Sequence, residues 1–220
     1  MKKRISVIIP SSNNSKINFT IESIKDFADE IIIVNSSGDN KSFSDNSKIK
    51  IIESEEGKTN ASMARNIGAK KATGEILLFA DSDVEFTPDS ALEIKKIFEI
   101  IQKKDIFTGS YLIKDNISLI SKIDSLLLRY RVIKLNKKGK FNIINSSHFI
   151  IYKEFFEEIG GFNESLESYE DCDFSVRAQK IWNANVIINE KFNTFHLKEY
   201  NFLNFLTTVF KKNYFFTKLR

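Results

Sequence analysis

Cysteine is almost missing from this chain: Cys172 is the only one among 220 residues. A lone thiol excludes an intramolecular disulfide and points to a reducing compartment, the cytoplasm. Proline occurs only at Pro10 and Pro88, tryptophan only at Trp182, and glycine eight times. No Pro/Gly-rich linker divides the chain, so one domain is expected. No apolar run approaches the ~18 to 20 residues needed to cross a bilayer. The positive start, Met1-Lys2-Lys3-Arg4, leads into an apolar run that stops at Pro10, too short for a signal peptide. The loop that follows, Pro10-Ser11-Ser12-Asn13-Asn14, has no glycine. That excludes the Gly-rich phosphate loop a nucleotidyltransferase would need. The 33 bases are dispersed and balanced by 29 acids, for a net charge of +4. Nucleic acid is therefore not an expected partner. The mild excess fits affinity for phosphates or for an anionic membrane surface.

What is present is apolar and regular. Hydrophobic residues make up 42% of the chain, and 20 are Phe. The first half alternates strand and helix signals. Strands are expected over Ile5–Ile9, Glu30–Val34, Ile49–Glu53 and Glu75–Ala80. Helices are expected over Phe19–Ala28 (Phe19, Ile24, Phe27 and Ala28 on one face), Ala61–Ala72, and Asp89–Gln102 after Pro88. In the last, Leu92, Ile94, Ile97, Phe98 and Ile101 should point inward. The polar loop 36–48 should be exposed. The second half reads as a strand over Ile106–Ile113, a long amphipathic helix over Ile117–Leu135 and a basic turn at Lys137-Lys138-Gly139-Lys140. A strand at Ile150–Tyr152, a helix at Glu154–Ile159, a helix at Asp171–Trp182, a short strand at Val186–Ile188 and a last helix at Asn201–Phe216 follow. Strands alternating with helices imply an α/β fold with a Rossmann-like, mostly parallel central sheet.

Asp81-Ser82-Asp83 follows directly on the buried strand Glu75–Ala80. Two carboxylates there repel unless something positive neutralises them. A divalent cation carrying a diphosphate would do so, since such ions take one or two carboxylates and complete their shell with phosphates and water. In open α/β sheets ligands bind beyond the carboxyl ends of strands. An Asp-rich turn is also an ordinary way to leave a strand.

Four ordered segments sharpen this reading. They are Ser6-Val7-Ile8-Ile9-Pro10, Ala64-Arg65-Asn66-Ile67-Gly68 leading into Gly74-Glu75-Ile76, the Asp81-Ser82-Asp83 motif, and Gly160-Gly161-Phe162-Asn163-Glu164 followed by Glu170-Asp171-Cys172-Asp173-Phe174. From about Ile5 to His196 the chain resembles the inverting glycosyltransferases of family 2, which have the GT-A fold. The resemblance implies a single GT-A domain over residues 1–220. Residues 1–105 would form a nucleotide-sugar half, 106–200 a smaller acceptor and catalytic-base half, and 201–220 a C-terminal amphipathic helix. It implies a nucleoside-diphosphate sugar donor, most simply a UDP-sugar, a Mn2+ or Mg2+ ion, and an acceptor hydroxyl on a glycan or lipid-linked molecule.

Residue by residue, the resemblance puts Pro10, Ser11, Ser12 and Asn35 around the base and ribose, and Arg65 beside the base and phosphates, with Asp81 and Ser82 also on the donor. It gives the metal to Asp83, with Asp81 reaching it through water, and to His196, which in some relatives completes the shell. Asp171 corresponds to the general base, with Glu170 as second choice. Gly161, Phe162 and Asp173 would meet the acceptor. Two departures stand out. The first loop lacks the family's aromatic and acidic residues, and Asn35 stands where an Asp is usual, so donor binding through that position loses charge assistance. The alternative is therefore a non-catalytic GT-A module with weakened donor binding.

Blander roles stand beside these. Acidic residues at a helix start are ordinary capping. Asp173 and Arg177 have the spacing of an i,i+4 ion pair. His148 reads as a hydrogen-bonded strand histidine. Acidic neighbours should raise the Cys172 pKa, which argues against a nucleophile. Asn201–Phe216 places Phe202, Phe205, Leu206, Val209 and Phe210 on one face, before Lys211, Lys212, Lys218 and Arg220. That pattern suits peripheral contact with the inner membrane face, and equally packing against the sheet or a second subunit.

Overall fold

The apolar runs of the first half become the centre of one eight-stranded sheet in the computed structural model, which describes residues 3–38, 47–55, 58–135 and 141–218. The basic turn at 137–140 and most of the polar loop, at 39–46, lie outside the described residues. Strands β1 (Ile5–Ser11), β2 (Glu30–Asn35), β3 (Ile49–Glu53) and β4 (Ile76–Ala80) run parallel in the order β3-β2-β1-β4. The sheet continues through β7 (His148–Tyr152), β6 (Asp105–Leu112), β8 (Asn185–His196) and β5 (Val84–Phe86). β7 is antiparallel to both β4 and β6, and β5 to β8. One sheet thus runs through both halves of the chain. β1, β2 and β4 are apolar almost throughout because both of their faces are covered, as parallel strands require.

Helices α1 (Ile17–Ile24) and α3 (Pro88–Ile100) cover one face. Helices α2 (Ala61–Lys71), α5 (Lys153–Ile159) and α6 (Glu170–Trp182) cover the other. The second face is aromatic: Phe79 stacks on Phe149 at 4.5 Å, and Phe156, Phe162 and Phe174 pack around them. Helix α4 (Leu119–Tyr130) runs into a π-helical turn at Arg131–Leu135, and α7 (Phe202–Lys218) ends the chain. No helix among the described residues is long and apolar enough to cross a membrane.

Four details differ from the sequence expectations. Helix α1 starts two residues earlier and buries Ile17, Thr20, Ile21 and Ile24, leaving Phe19 in solvent. Leu92 is exposed, while Ile94, Ile97, Phe98 and Ile101 are buried as expected. The helix expected over Ile117–Leu135 changes to π geometry at Arg131. β8 extends to His196 instead of ending at Ile188, because it pairs with β6 at its start, bulges, pairs with β6 again and then with β5. The polar Asn189-Glu190-Lys191 in its middle reads as a turn in sequence. Gly109 allows that bulge: a Cβ there would sit 1.5 Å from the Phe192 carbonyl oxygen.

A buried carboxylate ties the first strands together. Glu30, at the start of β2, accepts hydrogen bonds from the Ser6 hydroxyl, from the Thr73 hydroxyl at 2.8 Å, from the Gly74 amide at 3.2 Å and from Lys50 Nζ at 2.8 Å. Burial pushes its pKa up, but Lys50, Ser6 and Thr73 outweigh that and hold it at about 2.

Candidate active site

The Asp81-Ser82-Asp83 turn leaves β4 at the sheet's carboxyl edge, next to the end of β1. Backbone contacts from three directions fix it. The Asp81 amide donates to Ser147 O (2.9 Å), the Leu197 amide donates to Asp83 O (2.7 Å), and Thr20 Oγ1 donates to Val84 O (2.6 Å). The turn separates two adjoining clefts, and Asp81 and Asp83 line both. The first, about 280 Å3, is walled by Pro10, Ser11, Ser12, Ser36, Arg65 and Ser82. The second, about 300 Å3, is walled by Tyr111, Arg131, Tyr169, Glu170, Asp171 and His196. Asp83 and Asp171, far apart in sequence, therefore share one cavity.

Arg65 lies at the junction. It is buried, with Nη2 donating to Asp81 Oδ1 at 2.7 Å and Nη1 to Glu170 Oε1 at 3.2 Å. Its guanidinium also lies 5.4 Å from the Phe162 ring centre. Burial raises the Asp81 pKa; Arg65 opposes this, and the neighbouring Asp83 charge adds to it. Asp83 goes the other way: burial works upward, but His196 and Lys198 outweigh it and leave the carboxyl below its ordinary value.

His196 Nε2 lies 3.7 Å from Asp83 Oδ2, and its Nδ1 lies 3.4 Å from Asp124 Oδ2, an ion-pair contact without hydrogen-bond geometry. Burial lowers the imidazole pKa, but the two carboxylates outweigh it and lift it to about 9. Among the described residues, no three metal-ligating side chains are gathered closely enough to hold an ion by themselves. Asp81 is turned to Arg65. Asp83 and His196, however, are within reach of one cation with bonds of ~2.0 to 2.2 Å. A two-donor set facing a phosphate-sized cleft fits an ion that draws its remaining ligands from a diphosphate and water.

Across the second cleft, Asp171 opens α6. Its Oδ1 accepts from the Cys172 amide at 2.8 Å and its Oδ2 from Arg131 Nη2 at 2.9 Å. Burial raises its pKa, Arg131 works against this, and Glu170 adds to it. Glu170 is held by Arg65 and by the Ser146 hydroxyl at 3.0 Å. The residue before it, Tyr169, has φ of 65°. A bulky side chain in the left-handed region is strained, and here it aims the start of α6 into the cleft. Burial and Asp171 push the Cys172 thiol up to about 12, so it is no nucleophile.

Several expected positions lie elsewhere. Asn35 is buried under the first cleft instead of lining it: its Oδ1 accepts from Asn14 Nδ2 (3.2 Å) and the Ser37 hydroxyl (2.7 Å), and its Nδ2 donates to Glu53 (2.9 Å). Ser36, expected in an exposed loop, is buried and lines the cleft. Phe162 is a core residue at 2% exposure. Gly161 has φ of +64°, and a Cβ there would come within 2.6 Å of Asn66 Oδ1. Asp173 pairs with Arg177. These three support the start of α6 from behind and line neither cleft. His148 is buried and neutral, its pKa lowered by burial to about 3.

Asp124, Arg131, Tyr111 and Tyr169 went unassigned in the sequence. Asp124 had a signal: it is the only acid between residues 118 and 140. Tyr169 had none, because backbone strain leaves no mark in composition.

Comparison with known proteins agrees with this geometry. A family model described as glycosyltransferase-like family 2 matches residues 6–218. An uncharacterised glycosyltransferase of Haemophilus influenzae is 26% identical over 188 residues, which cover 79% of this chain and 61% of that protein. The chain thus spans about three fifths of that relative's length. Its fold matches the Pyrobaculum calidifontis mannosyltransferase PcManGT, solved with GDP-Man and Mn2+ (TM-score 0.69, 14% identity, 96% of this chain and 65% of that one). It also matches S. aureus TarS 1–349, solved with UDP-GlcNAc (TM-score 0.65, 19% identity, 93% and 61%). GalNAc-T7, solved with UDP, GalNAc and Mn2+, gives a TM-score of 0.65 at 16% identity, covering 90% and 44%. The fold is GT-A, and the chain belongs to glycosyltransferase-like family 2.

Proposed function

We propose that this chain transfers a sugar, with inversion, from a nucleoside-diphosphate donor to a hydroxyl of a glycan or lipid-linked acceptor. A UDP-sugar is the donor of choice. The whole of 1–220 acts as one domain, in the cytoplasm, with donor residues before about 105 and acceptor and base residues after. The observation that carries this reading is the shared cleft of Asp83 and Asp171, with a second cleft on the far side of the same acidic turn. The nucleotide-sugar and Mn2+ complexes of the structural relatives support it.

In this reading Pro10, Ser11, Ser12, Ser36 and Ser82 receive the nucleoside. Asp83 and His196, with Asp81 through water, would hold Mn2+ or Mg2+; His196 must give up its proton to do so. Such an ion supplies Lewis-acid neutralisation of the leaving diphosphate. Arg65 keeps Asp81 and Glu170 in place beside it. Asp171 takes the acceptor proton while the acceptor oxygen bonds to the anomeric carbon and the electron pair of the broken bond leaves on the diphosphate. Each Asp171 oxygen retains a free lone pair for that hydroxyl. Burial makes the carboxylate more basic, which suits a general base.

Thermal unfolding with Mn2+ or Mg2+ plus UDP or GDP tests the reading. At ligand a hundredfold above Kd, ~2.7 kcal/mol of stabilisation raises Tm by roughly 5 to 10 °C. Asp83→Ala should abolish the shift. No shift with any nucleotide would overturn the proposal. The buried, fully engaged Asn35 favours the second reading, a non-catalytic module. Release of free sugar from a nucleotide sugar by the wild-type chain excludes it.

A further inference from the structure

Helix α4 is folded inside out. A surface helix normally buries its apolar stripe. α4 instead buries Ser121, Asp124 and Ser125 and exposes Leu119, Ile123, Leu126, Leu127 and Tyr130. The exposed set follows i, i+4, i+7, i+8, i+11, one continuous stripe opposite the buried polar residues. The inward face has an assigned use: Asp124 meets His196, and Ser121 accepts from the Tyr200 amide at 2.9 Å. Among the described residues nothing buries the outward face.

Helix α7 meets α4 at its start. Tyr200 also accepts at its carbonyl from the Ser118 hydroxyl, at 3.1 Å. Two residues on, α7 exposes Phe202, Leu203 and Phe210, and none of residues 202–210 is buried. Charge separates with these helices. Residues 118–140 and 201–220 carry eleven Lys and Arg against one acid, the buried Asp124. The remaining positions carry twenty-two against twenty-eight. A chain of net charge +4 therefore concentrates its positive charge on the two segments that expose apolar side chains, while the rest is acidic.

We propose that the outward face of α4, together with α7, docks on an anionic lipid bilayer. An exposed apolar stripe supplies insertion and the basic segments supply attraction to acidic headgroups. A soluble acidic partner would match the charge but not a continuous stripe of five large apolar side chains, and a second copy would bring like charge against like. The same helix borders the second cleft through Leu128, with Arg131 just beyond its end. Docking therefore sets the mouth of that cleft beside the lipid, so that a lipid-linked saccharide is the acceptor class; this consequence alone rests on the transfer reading above.

Flotation of the full chain with vesicles, without donor or metal, tests the surface separately from the chemistry. The chain should float with phosphatidylcholine vesicles containing phosphatidylglycerol, and remain below with pure phosphatidylcholine or in high salt. Leu126→Asp with Leu127→Asp should reduce partitioning at least about tenfold at unchanged Tm, since both positions are already solvated. Failure of the wild type to float, or equal flotation of the double variant, overturns the proposal. So does light scattering that shows a wild-type dimer which the double variant turns into monomer, because a second copy would then cover the stripe. A chain that floats yet shows no nucleotide-induced Tm shift retains the surface and loses the function.

Discussion

Replacing Arg65 by Met is the sharpest test of how this site is held together. The guanidinium is 3% exposed and bridges two carboxylates, Asp81 at 2.7 Å and Glu170 at 3.2 Å. Methionine keeps most of the volume and leaves both anions beside Asp83 and Asp171 without a cation. Breaking one buried pair costs ~3 to 5 kcal/mol, mostly as the price of the stranded charge. For a chain of 220 residues that is a Tm loss of roughly 6 to 20 °C. The pH dependence follows from the direction of the pKa shifts. The Asp81 and Asp171 pKa values are already raised in the folded state by burial, and losing Arg65 raises that of Asp81 further. Ionising such a group costs folded-state stability only as pH climbs from the unfolded pKa through the raised one. The deficit of the variant relative to wild type should therefore be largest at pH 7.5 and shrink towards pH 4.5. Circular dichroism melts of wild type, Arg65→Met and Arg65→Lys at both pH values measure it, with Lys intermediate because it replaces the charge but not the fork. A variant within 2 °C of wild type at pH 7.5, or a deficit that grows on acidification, would refute the electrostatic account.

Two further outcomes follow from buried acids. Glu30→Gln should cost about 3 kcal/mol at neutral pH, from a pKa held at about 2 against the ordinary 4.5. That contribution is fully present above the unfolded value and disappears as pH falls through the folded one, so urea titrations should show the gap closing between pH 4.5 and 2. Asp124→Asn should weaken Mn2+ binding ~10 to 100-fold in the presence of UDP, read by electron paramagnetic resonance of free Mn2+, because a carboxylate beside His196, the proposed metal ligand, would fix its orientation; unchanged affinity would remove Asp124 from that role.

Much of this was legible in the residues. Runs with four or five apolar residues gave β1, β2 and β4 within two residues of their ends, because both faces of those strands are buried, and the Ile-rich run 49–53 gave the half-exposed edge strand β3. The acidic turn after β4 and the acidic start of α6 were also visible, and they face one cavity. What escaped depends on distant partners. β8 could not be traced past Ile188, since its polar middle lies in the irregularity between two stretches paired with β6, the second of which also pairs with β5. Leu92 and Phe19 fit an apolar stripe on spacing, yet each lies just off the buried arc. Asp124 sits on a helix whose periodicity is plain but whose inward side is the polar one, the reverse of the usual arrangement, and Arg131 follows in its π-helical turn.

That reversal bears on how the two halves work together. The proposed base, Asp171, stands in the second half of the chain, yet its setting is fixed from the first. Arg65 holds Glu170, and the next residue, Asn66, brackets the Phe162 backbone, accepting from its amide and donating to its carbonyl at 2.9 Å each. Arg177 of α6 closes the other side by donating to the carbonyls of Ile159 and Gly161. Two consecutive α2 residues, one through charge and one through hydrogen bonds, thus set the α6 terminus that carries Asp171, while α4 and the π-helical turn after it reach the same cleft through Leu128 and Arg131, with Asp124 beside His196. Phe162 and Asp173 line neither cleft; through Asn66 and Arg177 they fix where Asp171, the proposed base, stands.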